Sequence, residues 1–220
     1  MAHIIVISPH PDDMEIGMGG TVAKLADDGE TITSVILTDG RRSPNPFLWT
    51  EEQMIEVRKR EAIKASEVLG INEVIFFGQP DLKSENNYTI AKEKLRELII
   101  KLKPVQVYTP HNHLDRHLTH QLTGQLVLES IKEAKFPSVN EVWAYEVWGL
   151  FPSWDRVEYI DDQVGKKLLA IAEHKSQIAS IPYGEGAIGL NRWRAIFADQ
   201  QDIQPKGAFA EVFISLKNSL

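Results

Sequence analysis

Ile4-Ile5-Val6-Ile7-Ser8-Pro9-His10-Pro11-Asp12-Asp13-Met14-Glu15 is the stretch from which the rest of this chain is read. Four consecutive β-branched aliphatic residues make a run that is short and apolar on both faces, the pattern of a buried strand. The apolar run ends after Ile7, and two prolines stiffen the turn that follows. One imidazole and two adjacent carboxylates therefore sit at a strand end. They are poor core material and good metal-site material. His and Asp are common zinc ligands, and a spare carboxylate beside a metal can act as a general base. The plainer alternative is a surface turn rich in Pro and Asp.

Outward from this stretch, strand and helix patterns alternate. Strands are expected at residues 4–7, 32–37, 74–77 and 105–108, and helices at 17–29, 50–69, 90–103 and 118–132. Thr50 is placed to cap the second helix, with Glu51 and Glu52 in its first turn, and Gly70 stops it. Pro104 ends the third. Beyond residue 135 the pattern changes to an aromatic-rich strand at 141–148, a helix at 161–178 capped by Asp161, a helix at 184–201 and a strand at 209–214. The order predicts an α/β fold: a Rossmann-like, mostly parallel sheet with helices on both faces and a C-terminal α/β elaboration. One domain over residues 1–220 is expected, with a core at about 1–135 and the elaboration at about 136–220. Residues 39–49, with Gly40, Pro44 and Pro46, read as a flexible loop near the sheet's C-terminal edge, where loops often cover substrates.

Composition narrows the function classes. The hydrophobic fraction of 43% suffices for a full core, and the net charge of −7 argues against a broad nucleic-acid surface, which needs clustered Lys and Arg. The absence of cysteine excludes disulfides and thiolate metal sites, so any metal must use His and carboxylate. The first residues do not resemble a signal peptide, and no apolar run approaches bilayer length, so a cytoplasmic protein without a membrane partner is expected. Self-association is left open.

Four of the seven histidines fall within residues 111–120, in the stretch Thr109-Pro110-His111-Asn112-His113-Leu114-Asp115-Arg116-His117-Leu118-Thr119-His120. This cluster follows the fourth strand. In the doubly wound order 3-2-1-4, strands one and four are neighbours, and ligands bind outside their carboxyl ends. Both clusters then meet in one crevice. His117 and His120, three apart at a helix start, point to the same side. Gly17-Met18-Gly19-Gly20 and Asp39 superficially suggest a dinucleotide site. The spacing is not G-x-G-x-x-G, however, and Asp12, Asp13 and Glu15 would repel a pyrophosphate; the glycines better serve close helix packing.

These residues together resemble the LmbE/PIG-L-type zinc-dependent N-acetylglucosamine deacetylases. His10-Pro11-Asp12-Asp13 with Glu15, Gly17 and Gly19-Gly20 matches the opening motif, and Asp115-Arg116-His117-Leu118-Thr119-His120 stands where the family has His-x-Asp-His. Supporting matches are Arg58 with Glu61, Gly78-Gln79-Pro80-Asp81, and His174-Lys175-Ser176-Gln177. The resemblance implies Zn2+ held by His10, Asp13 and His120, with Asp12 as general base and His117 as acid or oxyanion stabiliser. It also implies removal of acetyl from a small N-acetyl sugar. A site of two histidines and one aspartate also accepts iron, cobalt or manganese. Thr119 departs from the family pattern: it replaces an Asp that would orient the catalytic His, so either Asp115 takes over that supporting role or His117 is less basic than usual. Arg58 and Asp81 are candidate substrate-binding residues, each with a bland alternative: a surface charge on a helix for Arg58, a turn residue for Asp81. Of Trp143, Trp148 and Trp154, the expectation is core rather than a sugar platform; His3 and His174 are expected to be structural. Two other functions remain open: a metal amidase acting on a larger amide of the thiol-conjugate type, and a non-catalytic metal- or sugar-binding protein.

Overall fold

Strand β1 (His3–Ser8) is an interior strand of a seven-stranded sheet of order β3-β2-β1-β4-β5-β7-β6. The computed structural model describes residues 2–134, 139–198 and 206–219. Strands β2 (Thr31–Thr38), β3 (Glu73–Gln79), β4 (Gln106–Pro110) and β5 (Glu141–Tyr145) run parallel to β1. Strand β7 (Ala210–Ser215) is antiparallel to β5, and β6 (Arg156–Tyr159) is antiparallel to β7. The expected 3-2-1-4 order is found.

Alternation along β1 divides the core between the two faces. Ile5 and Ile7 pack with α3 (Glu85–Leu102) and α4 (Leu118–Ala134) through Leu95, Ile99, Leu126 and Ile131. Ile4 and Val6 pack with α1 (Asp13–Asp27), α2 (Glu51–Leu69) and α5 (Val164–Glu173) through Met14, Val22, Ala65 and Ala170. The α2 start is built as read. Thr50 Oγ1 accepts from Gln53 N at 3.3 Å, and Gln53 Oε1 accepts from Thr50 N at 2.9 Å, a reciprocal cap; Gly70 closes the helix in the left-handed region at φ 79°.

Several boundaries differ from expectation. Helix α1 begins at Asp13 rather than residue 17, so the candidate metal motif runs directly into the first helical turn, and the helix kinks at Met18, where φ is −143°. The expected helix at 161–178 is two helices, α5 and α6 (Lys175–Ile178), because His174 has non-helical angles (φ −79°, ψ 57°); Gln163, not Asp161, precedes α5. Strand β5 stops at Tyr145, three residues early, and β6 was not foreseen. Helix α7 (Tyr183–Phe197) matches the expected helix at 184–201, whose last three positions lie outside the described residues, as does the core boundary near 135. Among the described residues no helix is long and apolar enough to cross a membrane.

Gly17 is required by the fit of α1 to the sheet: a Cβ there would lie 2.6 Å from Tyr145 Cδ2. The glycine run thus serves close packing beside the turn.

Candidate active site

The carboxyl ends of β1 and β4, adjacent in the sheet, bring the two clusters together. Asp12 occupies the position before α1 but makes no cap with its side chain. Its Oδ1 lies 2.8 Å from Arg58 Nη2. Arg58 is only 2% exposed on α2, which excludes the surface-charge reading. Its Nη1 meets Ser43 Oγ and the carbonyl of Gly40. Gly40, at φ +69°, lies so close that a Cβ would be 2.9 Å from Arg58 Cζ, so the loop 39–49 wraps directly on this guanidinium.

Asp13, the first residue of α1, turns the other way. Its Oδ2 accepts from His10 N at 2.8 Å and lies 3.0 Å from His10 Nδ1 and 3.4 Å from His120 Nε2. His120 Nε2 is 3.2 Å from His10 Nδ1. Burial pushes the Asp13 carboxyl up, but the facing His120 and His10 outweigh it and hold the group below the usual carboxylate range. His120 is fully buried; that burial favours its neutral form, yet Asp13 and Asp115 raise it above the ordinary histidine value.

His117, just before α4, joins the cluster. Its ring centroid is 5.1 Å from that of His10 and 4.7 Å from that of His120. The ligating nitrogens of His10, His117 and His120 lie within 4.8 Å of one another, a candidate metal site. Burial, then the neighbouring His120 and His10, lower the His117 pKa, so its imidazole is neutral at pH 7. The buried Nδ1 of His117 has no protein partner.

Asp115 stands beside the His120 ring and reaches His117 only at its backbone. Its Oδ2 lies 3.1 Å from His120 Nδ1, while Oδ1 accepts from the backbone N–H of His117 at 2.8 Å. Thr119, buried beside them, lines the cavity but hydrogen-bonds no histidine; its carbonyl accepts from Thr123 Oγ1. Asp81 Oδ1 caps the backbone N–H groups of Lys83 and Ser84, a turn role, although the residue also faces the cavity. His3 bonds Thr33 Oγ1 at 2.9 Å, and His174 faces Glu15 Oε1 at 3.5 Å; neither lines the cavity at the histidine cluster. Glu61 accepts from Ser176 N and Oγ, tying α2 to α6 behind the site.

A cavity of about 310 Å³ opens onto His10, Asp12, Asp13, His117 and His120. Its lining also includes Arg41, Arg42, Lys83, Trp148 and Tyr183. Trp148 and Tyr183 were not foreseen as site residues. Trp148 follows β5 by three residues and so obeys the same strand-end rule as the histidines; its ring lies 6.0 Å from His117. Tyr183 comes from the start of α7, and nothing local in sequence announces it; burial and the nearby Asp12 and Asp13 push its hydroxyl up to about 12, which keeps it a proton donor. Trp143 and Trp154 pack against the core clusters as expected.

A family model described as "PIG-L: GlcNAc-PI de-N-acetylase" matches residues 5–131. A diacetylchitobiose deacetylase of Thermococcus kodakarensis is 27% identical over 188 residues, covering 79% of this chain and 69% of the relative. A probable N-acetyl-alpha-D-glucosaminyl L-malate deacetylase 2 of Bacillus cereus is 25% identical over 183 residues, 80% of this chain and 83% of the relative. The crystal structure of GalB, the 4-carboxy-2-hydroxymuconate hydratase of Pseudomonas putida KT2440, superposes with a TM-score of 0.82 at 22% identity, covering 98% of this chain and 96% of that one. The same fold therefore carries a hydratase, and the reaction of this chain has to be argued from its side chains.

Proposed function

The chain belongs to the PIG-L family of de-N-acetylases, and on that premise we propose that it hydrolyses the N-acetyl group of an N-acetylglucosamine-containing small molecule with the help of a bound Zn2+. One observation carries the reading: the triangle of His10 Nδ1, Asp13 Oδ2 and His120 Nε2, with edges of 3.0, 3.2 and 3.4 Å. Ligand atoms roughly 2.0–2.1 Å from a tetrahedral zinc stand roughly 3.3 Å apart, so the donor set fits one face of such a site. The donor chemistry also fits, since an ionised carboxylate and imidazoles are zinc ligands. His10, Asp13 and His120 would hold the ion, and Asp115 would orient His120 through its other ring nitrogen. When bound, zinc supplies a Lewis acid that polarises an amide carbonyl and makes water acidic near neutral pH.

The remaining steps belong to the side chains. Arg58 holds Asp12 Oδ1 and positions the carboxylate at the cavity. Asp12 takes the proton of the attacking water and returns it to the amine nitrogen as the C–N bond breaks, releasing acetate. Neutral His117 donates one N–H to the carbonyl oxygen as negative charge develops there. Tyr183, protonated throughout, is a further donor on the cavity wall.

Acetate release from a panel of N-acetylglucosamine derivatives, with metal-stripped protein and with zinc restored, tests the reading. Zinc-dependent release is expected. No release from any member at stoichiometric zinc would defeat it, and turnover of a larger amide alone would assign the amidase function instead.

A further inference from the structure

A second chamber adjoins the cavity at the candidate metal site. It measures about 700 Å³, against about 310 Å³ for the first, and the two share Ile16, Trp148, Ile181 and Tyr183 as walls. Their characters differ. The first is lined by the histidines and carboxylates and by Arg41, Arg42 and Lys83. The second is walled by Val147, Leu150, Pro182, Ala187 and Leu190. Its two buried carboxylates are already paired, Glu211 with Lys167 at 2.6 Å and Glu146 with Arg194. Two further charged residues of its lining, Arg116 and Glu185, are exposed, and Asn191, 4% exposed, donates from Nδ2 to Ala210 O at 2.9 Å while its buried Oδ1 has no protein partner. A buried acceptor of this kind is normally satisfied.

The partition between the chambers is held by the candidate site itself. Trp148 donates its backbone N–H to Asp115 Oδ2 at 3.1 Å, and its carbonyl accepts from Arg116 Nε at 3.1 Å. The carboxylate beside His120 therefore also fixes the tryptophan that faces both spaces.

We propose that the second chamber receives an apolar aryl or alkyl substituent carried by the N-acetylated sugar. This rests on the deacetylase reading and names its substrate class. Both volumes suit small-molecule sites. The shared walls make them two parts of one ligand's path. Burying a phenyl-sized group there raises apparent affinity about tenfold to a hundredfold.

The test compares kcat/KM of the zinc-loaded protein for free N-acetylglucosamine and for its phenyl and hexyl glycosides in both anomers. At least one glycoside is expected to exceed the free sugar by about tenfold. Gly186→Trp narrows the chamber, since a Cβ there meets nothing within 4 Å. Leu150→Asp charges it at a residue that is 63% exposed. Both are expected to bring the ratio down towards one, whereas Leu169→Asp, on a residue 62% exposed that lines neither cavity, preserves it. Calorimetry of phenyl glucosaminide binding to metal-free protein gives a second readout, with a negative heat-capacity change expected and lost in Gly186→Trp. Acetate release with no glycoside preference, or a preference untouched by both variants, overturns the proposal. A dimer dissociated by these variants at constant ratio also overturns it, by assigning the chamber to a second copy of the chain. If no derivative releases acetate, the deacetylase reading fails, and calorimetry alone then decides the chamber: binding that Gly186→Trp abolishes upholds it, and no binding overturns it.

Discussion

Two regions of this molecule bury charge, and they do so to opposite ends. At the parallel half of the sheet, His10, Asp12, Asp13, His117 and His120 converge with their functional atoms turned towards a cavity. At the antiparallel half, Lys167 and Glu211 are each 1% exposed and satisfied within the protein. Glu211 also accepts from the N–H groups of Gly20 and Thr21, where α1 resumes after its kink. Arg194 and Glu146 do the same, with both also bonded to the backbone of Phe151. Closed pairs hold elements together; an open cluster, with an orphan nitrogen on His117, is arranged for a ligand. The contrast predicts that charge removal on the two sides gives separable defects.

The largest effect is expected from Asp13→Ala and His120→Ala. Each removes one corner of the ligand triangle, so metal content should fall far below one ion per chain and acetate release should vanish. Metal analysis after dialysis reads this directly. Unchanged metal in both variants would break the ligand assignment, whereas metal lost in His120→Ala but kept in Asp13→Ala would favour the three-histidine set.

Asp12→Asn is expected to come next: metal retained, turnover reduced about 10²–10⁴-fold, the usual range for a lost general base. Metal content and kcat measured on the same preparation separate this from the first case. Full activity in this variant would leave Asp12 as merely the partner that neutralises Arg58.

On the closed side, Lys167→Met strands the Glu211 carboxylate. A broken buried pair costs about 3–5 kcal/mol. Denaturant titration should show that loss, with metal stoichiometry at the site kept. Lost metal binding in a variant that remains folded would erase the distinction between the two regions.

The open side was legible in sequence and the closed side largely was not. His10, Asp12 and Asp13 are contiguous with a strand end, and His117 and His120 follow another, so local order and the strand-neighbour rule suffice to bring them together. Arg58 could be read only through its family motif; that it reaches Asp12 depends on α2 lying against the loop at Gly40. Strand β6 escaped notice because Arg156-Val157-Glu158-Tyr159 is four residues of intermediate burial, stabilised by pairing with β7 and by the Arg156–Glu158 contact. The break at His174 and the placement of Trp148 and Tyr183 arise from long-range packing. A periodicity argument carries no such information.

The smallest expected effect lies where the two regions meet, at His174 on the α5–α6 break. Burial pushes this imidazole towards its neutral form, but Glu15, 3.5 Å away, and then Asp12 outweigh it and raise its pKa above the ordinary value, with Arg58 opposing them. A histidine raised on folding contributes stability that is complete below its unfolded pKa of about 6.5 and is lost as pH climbs through the folded value. The slope from one such group cannot exceed about 1.4 kcal/mol per pH unit. Thermal unfolding of the metal-free protein between about pH 6 and 9 should therefore show a decline that His174→Gln flattens, while Lys167→Met lowers the whole curve and leaves that slope in place. An identical slope in His174→Gln would mean that the Glu15–His174 contact carries no net charge, and that the motif carboxylate at position 15 is neutralised from another direction.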